Sequence, residues 1–263
     1  LSVNLKMATA DQQKQRVNAI LESTLTKAGF TGSQHLASTL QGSVWRSIES
    51  SSKREVVIKV TNRQLHDRHV IIVQDQTVPV HEDVLKERKL LHHLTKKSRK
   101  PPNSIVKYIT FFKTNVNFYL VMEHGGVPLF DFVVKVHTYL EAGKLDVAEW
   151  HKLAKIIFTQ MIESVDFIHS HNVCHFDVSI ENYVISDVNV IVGKDDKIQF
   201  DPQKLHNVQV KLCDFGLAEL FDPESGFDCT KFCGKETYKS PEVINKKRFN
   251  AKSNDVWCLG VCL

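Results

Sequence analysis

Residues 174–185 read CHFDVSIENYVI, and two further stretches follow in order, KLCDFGL at 211–217 and YKSPEV at 238–243. In the first two, an acid or an amide sits beside a short apolar, β-branched run. Asp177 and Asn182 precede Tyr183-Val184-Ile185, and Asp214 follows Val210-Lys211-Leu212-Cys213. Such runs are strand signals. Asn182 and Asp214 are therefore each expected at the end of a strand-loop, where folds present functional groups, with Asp177 nearby in the same stretch as Asn182. One loop carboxylate taken alone is ordinarily just solvated; three in a fixed order call for a chemical explanation.

Working outward, residues 9–28 carry Val17, Ile20, Leu21 and Leu25 at helical spacing with Gly29 as a stop, which predicts an N-terminal helix. From about 35 to 60 the pattern becomes alternating and β-branched, ending in VVIKV, with SIESSSKRE as the turn. EDVLKERKLLHHL sets Val84, Leu85, Leu91 and Leu94 near one helix face, closed by Pro101-Pro102. Strands are expected at IVKYITFFK and NFYLVMEH, then a long helix over 147–171 after the Gly143 break. The polar stretch from Asp187 to Asn207 reads as an enlarged hairpin. A strand-rich first third and a helix-rich remainder imply an α+β fold in two lobes, with the crossing near His124-Gly125-Gly126. The expected division is 1–29 as a helical extension, 30–123 as a small β-rich lobe and 124–263 as a larger helical lobe.

The 263 residues, 42% hydrophobic and 24% charged, suit an ordinary globular protein. A net charge of +4, from 34 Lys+Arg against 30 Asp+Glu, is too slight to imply nucleic acid or a membrane surface. No apolar run approaches the roughly 18 residues of a bilayer span. Six scattered cysteines and no signal-like opening make a cytoplasmic setting without disulfides the expectation. Cys229 and Cys233 in CTKFC are read as two unrelated thiols, not a metal or redox pair, and His92-His93 and His169/His171 as a solvated helix face and a loop.

Together the three stretches resemble the protein kinase superfamily, whose pattern sets H-R-D-L-x-x-x-N before D-F-G and A-P-E. Here stand His175-Phe176-Asp177, Asn182, Asp214-Phe215-Gly216 and Ser240-Pro241-Glu242, and the resemblance runs from about residue 36 to the end. It implies a two-lobed fold transferring the γ-phosphate of ATP, with Mg²⁺, to serine or threonine hydroxyls of a protein substrate. Asn182 and Asp214 match the metal ligands, and all-oxygen ligation suits Mg²⁺. Asp177 matches the catalytic aspartate, Lys59 in VVIKV the phosphate-binding lysine and Glu87 its carboxylate partner; a surface ion pair of Glu87 with Lys86 or Lys89 is the alternative. Leu36, Gly42, Val44, Val57, Met122, Glu123, Gly125 and Val184 match positions around the nucleotide. Oligomeric state is not indicated.

The family pattern is broken in three places. Counting back the 15 residues from Lys59 to Val44 makes 36–44 the glycine-rich loop, with Ala37 and Thr39 in place of two glycines and only Gly42 kept. Weakened phosphate grip is expected, because a Cβ holds backbone amides away from the phosphates. Phe176 replaces the arginine that binds a phosphorylated activation segment, so activity independent of phosphorylation at Thr230 or Ser225 is expected. Ser179 replaces a lysine, while Lys235 stands where the family has the threonine beside that lysine. The expectation is that Lys235 supplies the missing ammonium, against the alternative of a solvated loop lysine. Finally, 254–260 resemble the start of the large lobe's central helix, inside which the sequence is expected to be cut short.

Two other readings stay open. A pseudokinase, keeping the fold as a nucleotide-binding scaffold, is favoured by the lost glycines and Ser179. A small-molecule kinase shares the H-x-D-x-x-x-x-N element but is opposed by Tyr238 to Glu242.

Overall fold

The computed structural model describes residues 10–73, 76–96, 103–192 and 197–263. Pro101-Pro102 and the tip of the 187–207 hairpin lie outside the described residues. Packing divides the chain into two compact units, one of residues up to Val78 with Ile109–His124, the other of Pro79–Tyr108 with Gly125–Leu263.

The first unit is built on a five-stranded sheet in the order Phe30–Thr39, Gly42–Glu49, Glu55–Asn62, Asn117–Glu123, Tyr108–Lys113. Val56, Ile58 and Val60 alternate onto one face, where Leu21 and Leu25 of the helix Ala10–Lys27 cover them beside Phe30, Trp45 and Tyr119. Val17 and Ile20 face solvent instead, so the helix buries a narrower stripe than its sequence pattern suggested. Leu40 and Gln41 form the two-residue turn of the first hairpin, whose register runs Ala37 against Val44 and Thr39 against Gly42. Gly42 is needed there by the sheet itself: a Cβ would lie 1.9 Å from the Val60 carbonyl oxygen.

The second unit contains the helices Val84–Lys96, Leu129–Glu141, Val147–Ser170 and Ala251–Val261. Asp83 caps the first, its Oδ1 accepting from Leu85 N at 2.8 Å and Lys86 N at 3.1 Å. Val84, Glu87, Leu91 and Leu94 share its buried face. Asp146 caps the long helix through Ala148 N at 2.7 Å, and Leu153, Ile157, Met161, Val165 and Ile168 form its buried stripe. Leu129–Glu141 had no clear sequence signal; only Leu129 and Val136 are buried, and exposed Phe130 and Val134 blur its period. A small sheet in the order Gln209–Leu212, Tyr183–Ser186, Val127–Pro128 carries the loops of interest. Val190–Val192 pairs with Ile198–Phe200, the ladder of the expected enlarged hairpin.

Candidate active site

The short strand Val173–Cys174 leads into His175-Phe176-Asp177, and a buried carboxylate fixes the turn between them. Asp255, fully buried on the helix Ala251–Val261, accepts from His175 N at 2.7 Å and Phe176 N at 2.9 Å. Its Oδ2 also meets His169 Nε2 at 2.9 Å. Such bonds are what make a buried charge tolerable. They hold Phe176 at φ +66°, a left-handed backbone that disfavours a bulky side chain. Asp177 is aimed by this constraint.

Asp177 is the centre of a polar cluster. Asn182 Nδ2 donates to its carbonyl oxygen at 2.7 Å and to its Oδ2 at 2.6 Å. Lys235 N donates to Oδ1 at 3.1 Å, and Lys235 Nζ to Oδ2 at 2.9 Å and to Ser179 Oγ at 2.8 Å. The lysine at 235 and the serine at 179 are therefore direct neighbours, as the resemblance implied, and the Lys235 ammonium is bonded to Asp177 and Ser179 with its side chain one-third exposed. Gly234 makes this possible: at φ +91° its Cα lies against the chain, and a Cβ would sit 2.5 Å from the Phe176 carbonyl oxygen.

Asn182 in turn anchors the next loop. Cys213 N donates to the Asn182 carbonyl oxygen at 2.8 Å, which brings the segment bearing Asp214 beside it. His175 Nε2 lies 3.1 Å from the Cys213 carbonyl oxygen. A carbonyl only accepts, so Nε2 carries the proton; Nδ1 is buried without a hydrogen-bond partner. Asp214 adopts φ +60° and accepts a long bond of 3.4 Å from Gly216 N. Phe215 is buried edge-on to His175 at 5.0 Å, and its N–H donates to Glu87 Oε1 at 3.1 Å. Glu87 is fully buried, which overturns the surface ion pair as its role.

The donor set suits a hard divalent cation. Both Nδ2 bonds of Asn182 go to Asp177, leaving its amide oxygen as the acceptor end, and Asp214 supplies a carboxylate from the adjoining loop.

The residues expected around the nucleotide fall on both units. In the first, Val44 pairs with Lys59 and Val57 with Met122 across neighbouring strands, and Lys59 is buried. Glu123 ends the same strand as Met122, and Leu36 lies half-exposed at a register shift in the first hairpin. In the second, Gly125 and Val184 touch so closely that a Cβ on Gly125 would meet Val184 Cγ2 at 2.5 Å.

Two clusters flagged by residue type are structural. His169, Cys174 and Asp255 could group around a metal, but the Asp255 oxygens already serve two backbone N–H groups and His169, and burial pushes the Cys174 thiol far up. His169 is thus bonded to Asp255, which corrects its reading as a solvated loop residue. In CTKFC, burial pushes Cys233 up to about 11 and raises Cys229, so neither is a reactive thiolate at neutral pH. Asp255 and Gly234 are the site-shaping residues that sequence reasoning missed. The signal available for Asp255 was an acid on the buried face of a short helix.

An α+β chain with a five-stranded sheet in one unit and an aspartate cluster on loops of the other has the elements of a kinase domain. The chain matches the protein kinase domain family across residues 32–263 and belongs to that family. It is 30% identical over 210 residues to a probable serine/threonine-protein kinase MARK-A of Dictyostelium discoideum, covering 80% of this chain and 15% of that protein. It is 28% identical over 222 residues to sucrose non-fermenting protein kinase 1 of Fusarium virguliforme, covering 84% and 25%. A probable serine/threonine-protein kinase KIN1 homolog of Enterocytozoon bieneusi is 32% identical over 160 residues, covering 60% and 22%. The chain thus spans a quarter or less of the length of these relatives. Among the described residues no helix is long and apolar enough to cross a membrane.

Proposed function

We propose that this chain transfers the γ-phosphate of ATP to serine or threonine hydroxyls of a protein substrate, with Mg²⁺ as the metal. The observation that carries this reading is the bonding of Asp177. A carboxylate offers about four acceptor positions, and three are used, by Asn182 Nδ2 and Lys235 Nζ on Oδ2 and by Lys235 N on Oδ1. The remaining position on Oδ1 orients the acceptor hydroxyl and takes its proton as the oxygen attacks phosphorus and the bond to the β-phosphate oxygen breaks. Lys235 contributes positive charge beside that reaction, in place of a lysine at 179. Asn182 and Asp214 hold Mg²⁺, which when bound neutralises charge on the phosphates. Lys59 is assigned to the α- and β-phosphates, with Glu87 as its carboxylate partner. Leu36, Gly42, Val44, Val57, Met122, Glu123, Gly125 and Val184 are assigned to the nucleotide pocket.

A nucleotide-binding scaffold without transfer is the second reading, favoured by the side chains of Ala37 and Thr39 in the hairpin that should meet the phosphates. Purified full-length protein with labelled ATP and a mixed serine/threonine peptide pool separates the two. Label on serine or threonine that needs Mg²⁺ and is lost in Asp177→Asn supports transfer. Magnesium-dependent nucleotide binding with equal background label in both proteins supports the scaffold.

A further inference from the structure

Near the aspartate cluster lies an ion triad with no part in the chemistry above. Lys231 Nζ donates to the Leu217 carbonyl oxygen at 2.6 Å and to Glu219 Oε1 at 2.8 Å. It also stands over the Phe176 ring, 4.9 Å from the centroid. The same Glu219 oxygen accepts from Lys86 Nζ at 2.8 Å. Lys86 precedes Glu87 on the helix Val84–Lys96, and Lys231 lies four residues before Lys235.

We propose that Glu219 and Lys231 are positioning residues that, with Lys86, form a phosphate-free latch holding the 214–235 segment and the Val84–Lys96 helix in one arrangement. The effect of the latch on turnover rests on the transfer reading; its effect on order does not.

Three features separate the triad from ordinary surface pairs, which contribute little. Lys231 is ligated on three sides, by a backbone carbonyl, a carboxylate and an aromatic face, so its ammonium is defined geometrically as well as by charge. Its ring partner is Phe176, the residue clamped by Asp255, which makes the clamp and the latch contiguous. Glu219 lies on a strand paired with Val173–Cys174, directly before His175, so the carboxylate is held by backbone pairing. The helix is tied to the segment a second time, through Asp83 N donating to the Gly216 carbonyl oxygen at 3.2 Å. Lys86 pulling on Glu219 and Glu87 accepting from Phe215 N then act on the same turn of helix. A fixed carboxylate between two lysines is present without any modification, so the segment needs no added phosphate to be held.

Hydrogen exchange of the full-length protein tests the latch without requiring activity. Glu219→Gln and Lys231→Met should speed amide exchange in 217–235 by roughly tenfold, Glu219→Gln should also loosen 84–90, and Lys231→Arg should retain most protection. Where transfer is measurable, kcat should fall by about tenfold in the two disruptive variants with the KM for ATP within about twofold, and the double variant should be no worse than the poorer single one. Phosphatase treatment should leave wild-type exchange unchanged. Unchanged protection in both disruptive variants, or a wild-type segment that loosens on phosphatase treatment, overturns the latch. Absence of transfer by the wild type with the exchange pattern as expected overturns the transfer reading alone.

Discussion

Lys235 Nζ lies 2.9 Å from Asp177 Oδ2 and 2.8 Å from Ser179 Oγ, an ammonium reaching the aspartate from the segment after Gly234 instead of from the loop that bears the aspartate. The backbone N–H of Lys235 binds the other Asp177 oxygen, so main chain and side chain of one residue grip both oxygens of one carboxylate. The Lys235 side chain is about one-third exposed, 35%, so solvent screens the pair; its interest is positional, not as a source of stability.

Gly234→Ala is expected to disturb this arrangement. At φ +91° an added Cβ would meet the Phe176 carbonyl oxygen at 2.5 Å, and backbone, unlike a flexible side chain, yields only by moving the turn. Strain of about 1–3 kcal/mol is expected, with a Tm a few degrees lower and kcat reduced by roughly tenfold. Wild-type kinetics in a stable Gly234→Ala protein would show that the turn tolerates the shift and that Lys235 does not depend on it.

Asp255→Asn should weaken the fold more than any change at the aspartate cluster. The carboxylate accepts two backbone N–H bonds on separate oxygens; an amide presents one oxygen and one NH₂, leaving a buried donor facing a donor. A loss of about 2–4 kcal/mol is expected from denaturant unfolding. A change under about 0.5 kcal/mol would mean that His175 and Phe176 hold their turn without it.

How much of this was legible in the sequence divides along local and distant contacts. Asp177, Asn182 and Asp214 could be located because they match three ordered motifs of the kinase family, and the β-branched runs beside Asn182 and Asp214 place those two at strand ends. Glu87 could be located because it stands in KERKLL where the family's helix glutamate precedes two charged residues and an apolar pair, and it lies on the face that Val84, Leu91 and Leu94 bury. The contact of Lys235 with Ser179 was inferable only because two departures from one family pattern sat at positions that face each other. Asp255 offered only an acid on the buried face of a short helix: its partners Phe176, His175 and His169 are 79, 80 and 86 positions away, and local periodicity carries no record of them. The Lys86–Glu219–Lys231 triad was invisible for the same reason. Gly42 was legible as a retained glycine but for an incomplete reason, since the crowding that demands it here comes from the Val60 carbonyl oxygen.

Thr39→Gly tests the weakened loop. Thr39 closes the hairpin opposite Gly42, directly before the Leu40-Gln41 turn. Removing its Cβ should lower the KM for ATP by about three- to tenfold with kcat little changed, at a stability cost near 1 kcal/mol for glycine in a strand. Unchanged nucleotide affinity and turnover would show that this side chain does not limit phosphate grip.

The exchange of roles between 179 and 235 is tested most directly by kcat for Lys235→Met beside the paired change Ser179→Lys with Lys235→Thr, in full-length protein. Lys235→Met should lower kcat by at least about tenfold, roughly 1.4 kcal/mol of transition-state stabilisation, and the paired change should recover most of the loss by returning an ammonium from position 179. A Lys235→Met protein within about twofold of wild type, with or without recovery in the pair, would contradict the exchange.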